Sequence, residues 1–300
     1  MQKAPVNCSL TLIIPRMARF LTLILASFGL IYASGQSHIA KTDSETGTLI
    51  LIAATKNQIT LAADSGSTSH YEGIQPGHTK IFPVGRYSAC AIFRNAAITL
   101  RLEDKVLNRV DFGDEVTKWI AAHPHAEVVE AAPAIADAMR SALTTFVEQN
   151  SRYMLSLTSD TSLICVGFSE AKPIAILNTI SLTDPAKPIG VKHSNFQLPP
   201  GFLVGLGLPD VTTDVLQGND QRLAKYRSKA PVQKYRIAVA NKALGTLTAA
   251  DLIMVSRVCL AATESAEGHV VDPDSVIVVP PNHFAVISRF SGLRNLPNSD

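Results

Sequence analysis

A chain of 300 residues that is 46% hydrophobic and 17% charged is an ordinary globular sequence, long enough for one large or two small domains. Its net charge of +2 comes without any basic block, which excludes a nucleic-acid partner bound through phosphate neutralisation. The four cysteines are Cys8, Cys90, Cys165 and Cys259, widely spaced and without a C-x-x-C pair. With Cys8 in the leader, the odd number remaining argues against a disulfide framework and for buried free thiols, and no spacing suggests zinc.

The first element is a candidate export signal over residues 1–35. In "RMARFLTLILASFGLIYASGQ", Arg16 and Arg19 precede an unbroken apolar run from Phe20 to Tyr32. That run matches a signal-peptide core of roughly 7–15 residues and falls short of the ~20 needed to span a bilayer. Ala33, Ser34 and Gly35 supply small residues for cleavage before Gln36, and Met17 is a possible start. The expectation is an exported, periplasmic or secreted protein with no stable membrane anchor after processing. Residues 36–47, ending in "SHIAKTDSETG", show no periodicity and read as a linker or pro-segment.

Strands then come as hairpins. Thr48–Lys56 and Gln58–Ala63 pair through a turn at Asn57, and "TKIFPVG" turns at Gly85 and Arg86 into "YSACAIFR". Helices are expected over "LEDKVLNRV", "DEVTKWIAAH" and "AEVVEAAPAIADAMRSALTTFVEQN". In the last, Ile135, Met139, Leu143 and Phe146 share one face. Strands resume with "TSLICVGF", "PIAILNTISL" and "GFLVGLG". Two helices follow, the second opened by Thr248 and Asp251 in capping-box spacing. "DSVIVV" and "HFAVISRF" close the domain, placed at 48–290, and 291–300 form a tail. This order does not alternate strand and helix, so a doubly wound parallel sheet is disfavoured. Near-continuous apolar strands call for sheets covered on both faces. The expected fold class is α+β, a four-layer α-β-β-α sandwich.

The stretch "GTLILIAATKNQITLAADSGSTS", with "TKIFPVG" after it, resembles the start of a proteasome β-type subunit, a member of the amino-terminal-nucleophile hydrolases. Thr48 stands sixteen positions before Asp64 and thirty-two before Lys80, the separations of that family. The resemblance extends more loosely through "VGLG" and "AATESAEGHVVDPDSVIVV" to about residue 290. It implies a threonine-type peptidase or amidohydrolase of proteasome β-like fold. Autocleavage after Gly47 would expose Thr48 as nucleophile and α-amino base, with Lys80 tuning it and Asp64 orienting Lys80. The chemistry suits these types. A free α-amino group has a reference pKa of ~7.7–8.0, so one residue can carry both nucleophile and base. No metal or organic cofactor is implied. The implied partners are a peptide or small amide substrate and a homo-oligomeric ring.

The chain departs from the family pattern in places. Arg94 and Asn95, in "FRNAAI", stand where a glycine pair would be expected, so a backbone N–H from either would serve an oxyanion hole while a side chain crowds the approach. Glu264 takes the place of a supporting aspartate, Glu267 and Leu206 those of serines, and Gly66 that of an arginine. Two alternatives stay open: a non-proteolytic amidase or acylase acting on small substrates, and an inactive binding or assembly module. His123 and His125, in "AHPHAE", read as loop histidines rather than metal ligands.

Overall fold

The computed structural model describes residues 40–45, 49–69, 73–75, 77–103, 105–153, 159–184, 186–274 and 278–296. The candidate signal, Gly47, Thr48 and most of "DSVIVV" lie outside the described residues.

Two five-stranded antiparallel sheets carry most of the apolar residues. One has the order β13-β2-β3-β14-β15, formed by Phe202–Gly207, Leu49–Ala54, Gln58–Ala63, His283–Ser288 and Gly292–Leu296. The other has the order β12-β11-β10-β7-β6, formed by Gly190–Gln197, Lys172–Leu182, Ser159–Ser169, Ser88–Arg94 and Ile81–Val84. Strand β2, "LILIAA", is buried along its whole length. Alternation of side chains explains why such a strand has no polar face. Ile50 and Ile52 join Leu61, Ala91, Phe93 and Ile164 in a core drawn from both sheets. Leu49 and Leu51 point the other way, into a core shared with helices.

The helices over the first sheet are α3 (Asp210–Gln217), α4 (Ala224–Arg227), α5 (Ala230–Ala240), α6 (Ala249–Thr263) and α7 (Ala266–Val271). Helix α6 starts on a capping box in which Thr248 and Asp251 bond each other's backbone reciprocally. Against the second sheet lie α1 (Phe112–Ala122) and α2 (Val128–Gln149), with Ile135, Met139, Leu143 and Phe146 of α2 all buried.

The plain four-layer α-β-β-α, proteasome β-like sandwich expected from the sequence is corrected here. The described strands fall into four antiparallel sheets rather than two. Strands β4 (Ser67–Ser69) and β5 (Gly73–Gln75) form a two-stranded ribbon between the first two hairpins. A three-stranded sheet, β1-β8-β9, is built from Lys41–Glu45, Ala97–Leu102 and Lys105–Asp111. The segment "LEDKVLNRV", expected as helix, is mostly strand β9. Leu102 pairs with Lys105, and Glu103 between them takes a φ of 55° that turns the chain sharply back. Its apolar residues at four-residue spacing mimic a helix, yet Val106 and Leu107 are exposed and only Val110 is buried. Strand β12 also escaped the sequence pattern, because it is a polar, largely exposed edge.

The expectation of free thiols holds for Cys259 alone, whose burial pushes its thiol up to about 12. Cys90 and Cys165 form a disulfide across directly paired positions of β7 and β10. Odd-number reasoning could not see that two of three distant cysteines sit opposite each other in one ladder. The bond closes a sequence separation of 75. Removing it, as Cys90→Ala with Cys165→Ala, is predicted to lower unfolding free energy by about 2–4 kcal/mol. Denaturant melts of the two proteins measure this, and superimposable curves would refute it.

Candidate functional site

The site begins where β3 ends. Ala63 pairs with Ile50 and the next residue, Asp64, is fully buried. A buried carboxylate persists only with partners, and Asp64 has three. Its Oδ1 accepts the Leu49 N–H at 2.8 Å, and its Oδ2 accepts the Gly66 N–H at 2.8 Å. The same Oδ2 accepts Lys80 Nζ at 3.0 Å in an ion pair with side-chain exposures of 4% and 0%. Lys80 Nζ also donates to the Gly66 carbonyl. Burial pushes the Asp64 carboxyl up and the Lys80 ammonium down, and in each case the partner's charge pulls it part of the way back.

The turn carrying Gly66 is itself tethered. Ser65 donates its backbone N–H to the Val279 carbonyl at 3.3 Å, and its hydroxyl accepts the Gly77 N–H at 3.2 Å. Lys80 enters just before β6. The pair is thus set by three elements, and the backbone of Leu49 is fastened to it from the residue that follows Thr48 in sequence.

Glu264 is the C-cap of α6 and is half-buried, with Oε1 accepting Asn282 Nδ2 at 2.7 Å. Burial pushes its carboxyl up, the Asn282 hydrogen bond draws it down, and the negative charge of Asp64 raises it again. Asn282 adjoins His283, the register partner of Ala63, so Glu264 lies close to the end of β3 that leads into Asp64. Glu267 stands apart, on an exposed salt bridge to Lys225 at 2.6 Å.

No known family model matches the sequence, and no curated protein matches it either. Among solved structures, the chain is similar to Anbu from Hyphomicrobium sp. strain MC1, determined as a (Gly-1) mutant. The identity is 11% and the TM-score 0.44, over 85% of this chain and 89% of that one.

Arg94 and Asn95 close β7 at the turn into β8. Arg94 has a φ of 70°, the left-handed region that suits glycine, so a side chain has been placed on a backbone of glycine type. That side chain is half-exposed and stands 3.7 Å from the Asp160 carboxylate. Asn95 is tied down: its Nδ2 donates to Ser159 Oγ at 2.8 Å and to the Asp160 carbonyl at 3.0 Å, and its own carbonyl accepts Thr161 Oγ1 at 3.1 Å. A left-handed non-glycine residue costs about 1–2 kcal/mol, and the exposed pair with Asp160 contributes little. Arg94→Gly is therefore predicted to stabilise the fold by about 0.5–1 kcal/mol after the added freedom of the unfolded chain is subtracted. A thermal melt checks the sign, and a fall in midpoint would refute it.

The structure thus gathers Asp64, Lys80 and, more loosely, Glu264, and puts Arg94 and Asn95 on a rigid turn at the end of β7. Thr48 and Gly47 lie outside the described residues. His123, at the C-cap of α1, stacks its ring on Trp119 at 4.3 Å, with its Nδ1 2.9 Å from the Trp119 carbonyl. Among the described residues no group of three or more His, Cys, Asp or Glu is placed to hold a metal. Two contributors escaped sequence reasoning. The backbone of Gly66 supplies both a donor and an acceptor to the ion pair, which no side-chain pattern can signal. Asn282 meets Glu264 across a loop-to-helix contact that depends on long-range register, with His283 opposite Ala63. A cavity of ≈ 560 Å³ opens beside the Lys80 segment, lined by His78, Ile81 and Phe82 and by Thr117, Ile120 and Ala121 of α1.

Proposed function

We propose that this chain is an exported threonine-type hydrolase of the amino-terminal-nucleophile kind, acting on peptide or amide bonds. One observation carries the reading: a buried Lys80–Asp64 pair whose carboxylate also holds the backbone N–H of Leu49. A fully buried ion pair between strands stabilises poorly compared with apolar packing. As a device for proton management beside the start of β2, its presence is better explained.

In the proposed chemistry, Thr48 Oγ first attacks the Gly47 carbonyl, and the Gly47–Thr48 amide bond breaks as the Thr48 nitrogen takes up the hydroxyl proton. Water then cleaves the resulting ester, leaving a free Thr48 α-amine and a new Gly47 carboxylate. In turnover, the α-amine accepts the Oγ proton as Oγ attacks the substrate carbonyl. The proton passes to the leaving amine, and water hydrolyses the acyl ester. The Lys80 ammonium, held charged and aimed by Asp64, favours the developing alkoxide. The backbone N–H groups of the turn at Arg94 and Asn95 would receive the oxyanion. The ≈ 560 Å³ cavity is of a size to take a substrate side chain or acyl group. Export is supported by the Cys90–Cys165 disulfide, since such bonds form and persist in oxidising compartments.

Amino-terminal sequencing and intact mass of the purified protein test the reading. A terminus at Thr48 is the expected result. A mature chain that always begins upstream of Gly47, with no hydrolysis of amide substrates, would overturn it.

A further inference from the structure

Residues 41–45, read from sequence as part of an aperiodic linker or pro-segment, form strand β1. It runs antiparallel to β8 in a continuous register from Lys41 opposite Arg101 to Glu45 opposite Ala97. The strand is anchored by more than its ladder. Ala40 is buried in a core with Ile98, Leu100 and Val110, Asp43 is 6% exposed, and Thr99 opposite it is 4% exposed. Strand β1 also lies against β4, which follows directly on the Asp64–Gly66 turn. On its other side β8 is already paired with β9, so β1 covers the edge that would otherwise be free. Without it, β8 would present a row of unpaired N–H and C=O groups immediately after the Arg94–Asn95 turn.

We propose that β1 is a docked plug. It occupies an edge suited to an extended peptide running antiparallel to β8, and it stays there by its own contacts after the bond before Thr48 is cut. Cleavage breaks one covalent link and leaves every hydrogen bond between Lys41–Glu45 and Ala97–Arg101 in place. Departure of the strand, rather than the cut alone, opens the site to an extended polypeptide. The step at Thr48 rests on the proposed function, whereas the docking of the strand does not.

The test separates the two. The recognition sequence of a site-specific protease is inserted between Gly47 and Thr48 of the full chain, so that cutting leaves Thr48 first whether or not the chain cuts itself. Native mass spectrometry then reads whether the amino-terminal fragment, which ends in the inserted sequence after Gly47, remains bound. Asp43→Pro and Ser44→Pro are made in turn. Only alternate residues of an antiparallel strand bond to a given neighbour, so one of the two must remove a ladder donor. Retention is expected in the parent, with retained fragment reduced about tenfold or more in one proline variant. Hydrogen exchange at Ala97–Arg101 in the cut parent gives the same answer without a substitution: continued protection is expected. Hydrolysis of a fluorogenic peptide should be low in the cut parent and rise in step with fragment loss. Release of the fragment on cutting, with loss of protection at β8, overturns the proposal, and so does equal hydrolysis with the fragment bound and gone. If neither protein hydrolyses anything, the hydrolase reading falls. The plug is then decided by a labelled synthetic peptide of residues 36–47: it should bind the emptied variant and not the parent, and binding to neither overturns the docking.

Discussion

Replacing Thr48 by alanine is expected to leave the Gly47–Thr48 bond uncut and to lower amide hydrolysis by at least about 10³-fold, as removal of a covalent nucleophile does. The two losses should appear together, because in the proposed chemistry one hydroxyl performs both attacks. Thr48→Ser keeps a hydroxyl at the same place and should retain both activities at reduced rate. An alanine variant that is still cut at this bond would assign the cleavage to another protease. One that still hydrolyses substrate would place the nucleophile elsewhere. The fold should be indifferent to the change, since the described contacts around the ion pair come from Leu49, Asp64, Gly66 and Lys80. Equal melting midpoints for alanine and parent proteins would therefore accompany the loss of activity.

Lys80→Met is expected to act on stability and activity at once. It leaves Asp64 as a buried carboxylate with only backbone partners, and breaking such a pair costs about 3–5 kcal/mol. The pH dependence follows from the direction of the Asp64 shift. Burial already holds its folded pKa above the usual carboxylate value, and losing Lys80 raises it further. Below the unfolded value of ~3.9 the carboxyl is protonated in both states, so the penalty is absent there. As pH rises above that value the unfolded state releases its proton first, and stability falls until the folded pKa is passed. Denaturant melts of the variant should thus show greatest stability in acid and a decline toward neutrality. A loss that is constant from pH 4 to pH 8 would contradict this. Removing the charge from both partners, as Lys80→Met with Asp64→Asn, should recover much of the stability and none of the activity. That separates the pair's structural contribution from the role in chemistry proposed for it.

The sequence signalled one contact of the candidate site better than it signalled the architecture. Asp64 and Lys80 stand at fixed positions beside two hairpins of largely apolar strands, and the ion pair forms between them, whereas Thr48 lies outside the described residues. Helix α2 and the capping box of α6 were legible for a similar reason, since their signals are local. What failed depended on partners far along the chain. Strand β1 has no apolar pattern because its partner β8 supplies the hydrophobic side. Strand β9 carries a helix-like spacing that a two-sided hairpin overrides. The disulfide required knowing that Cys90 and Cys165 are register partners. In each case a ladder between distant segments outweighed local preference.

That disulfide bears on more than stability. Cys90 lies on β7 only four positions before Arg94, and the ladder that pairs Cys90 with Cys165 also pairs Arg94 with Thr161. In a sheet whose side chains alternate, a slip of one residue would exchange every inward group for an outward one. A covalent staple at one rung forbids the slip at all of them. The bond therefore acts as a phase lock: with it closed, the turn that follows β7 at Arg94 and Asn95 has only one register in which to leave the sheet.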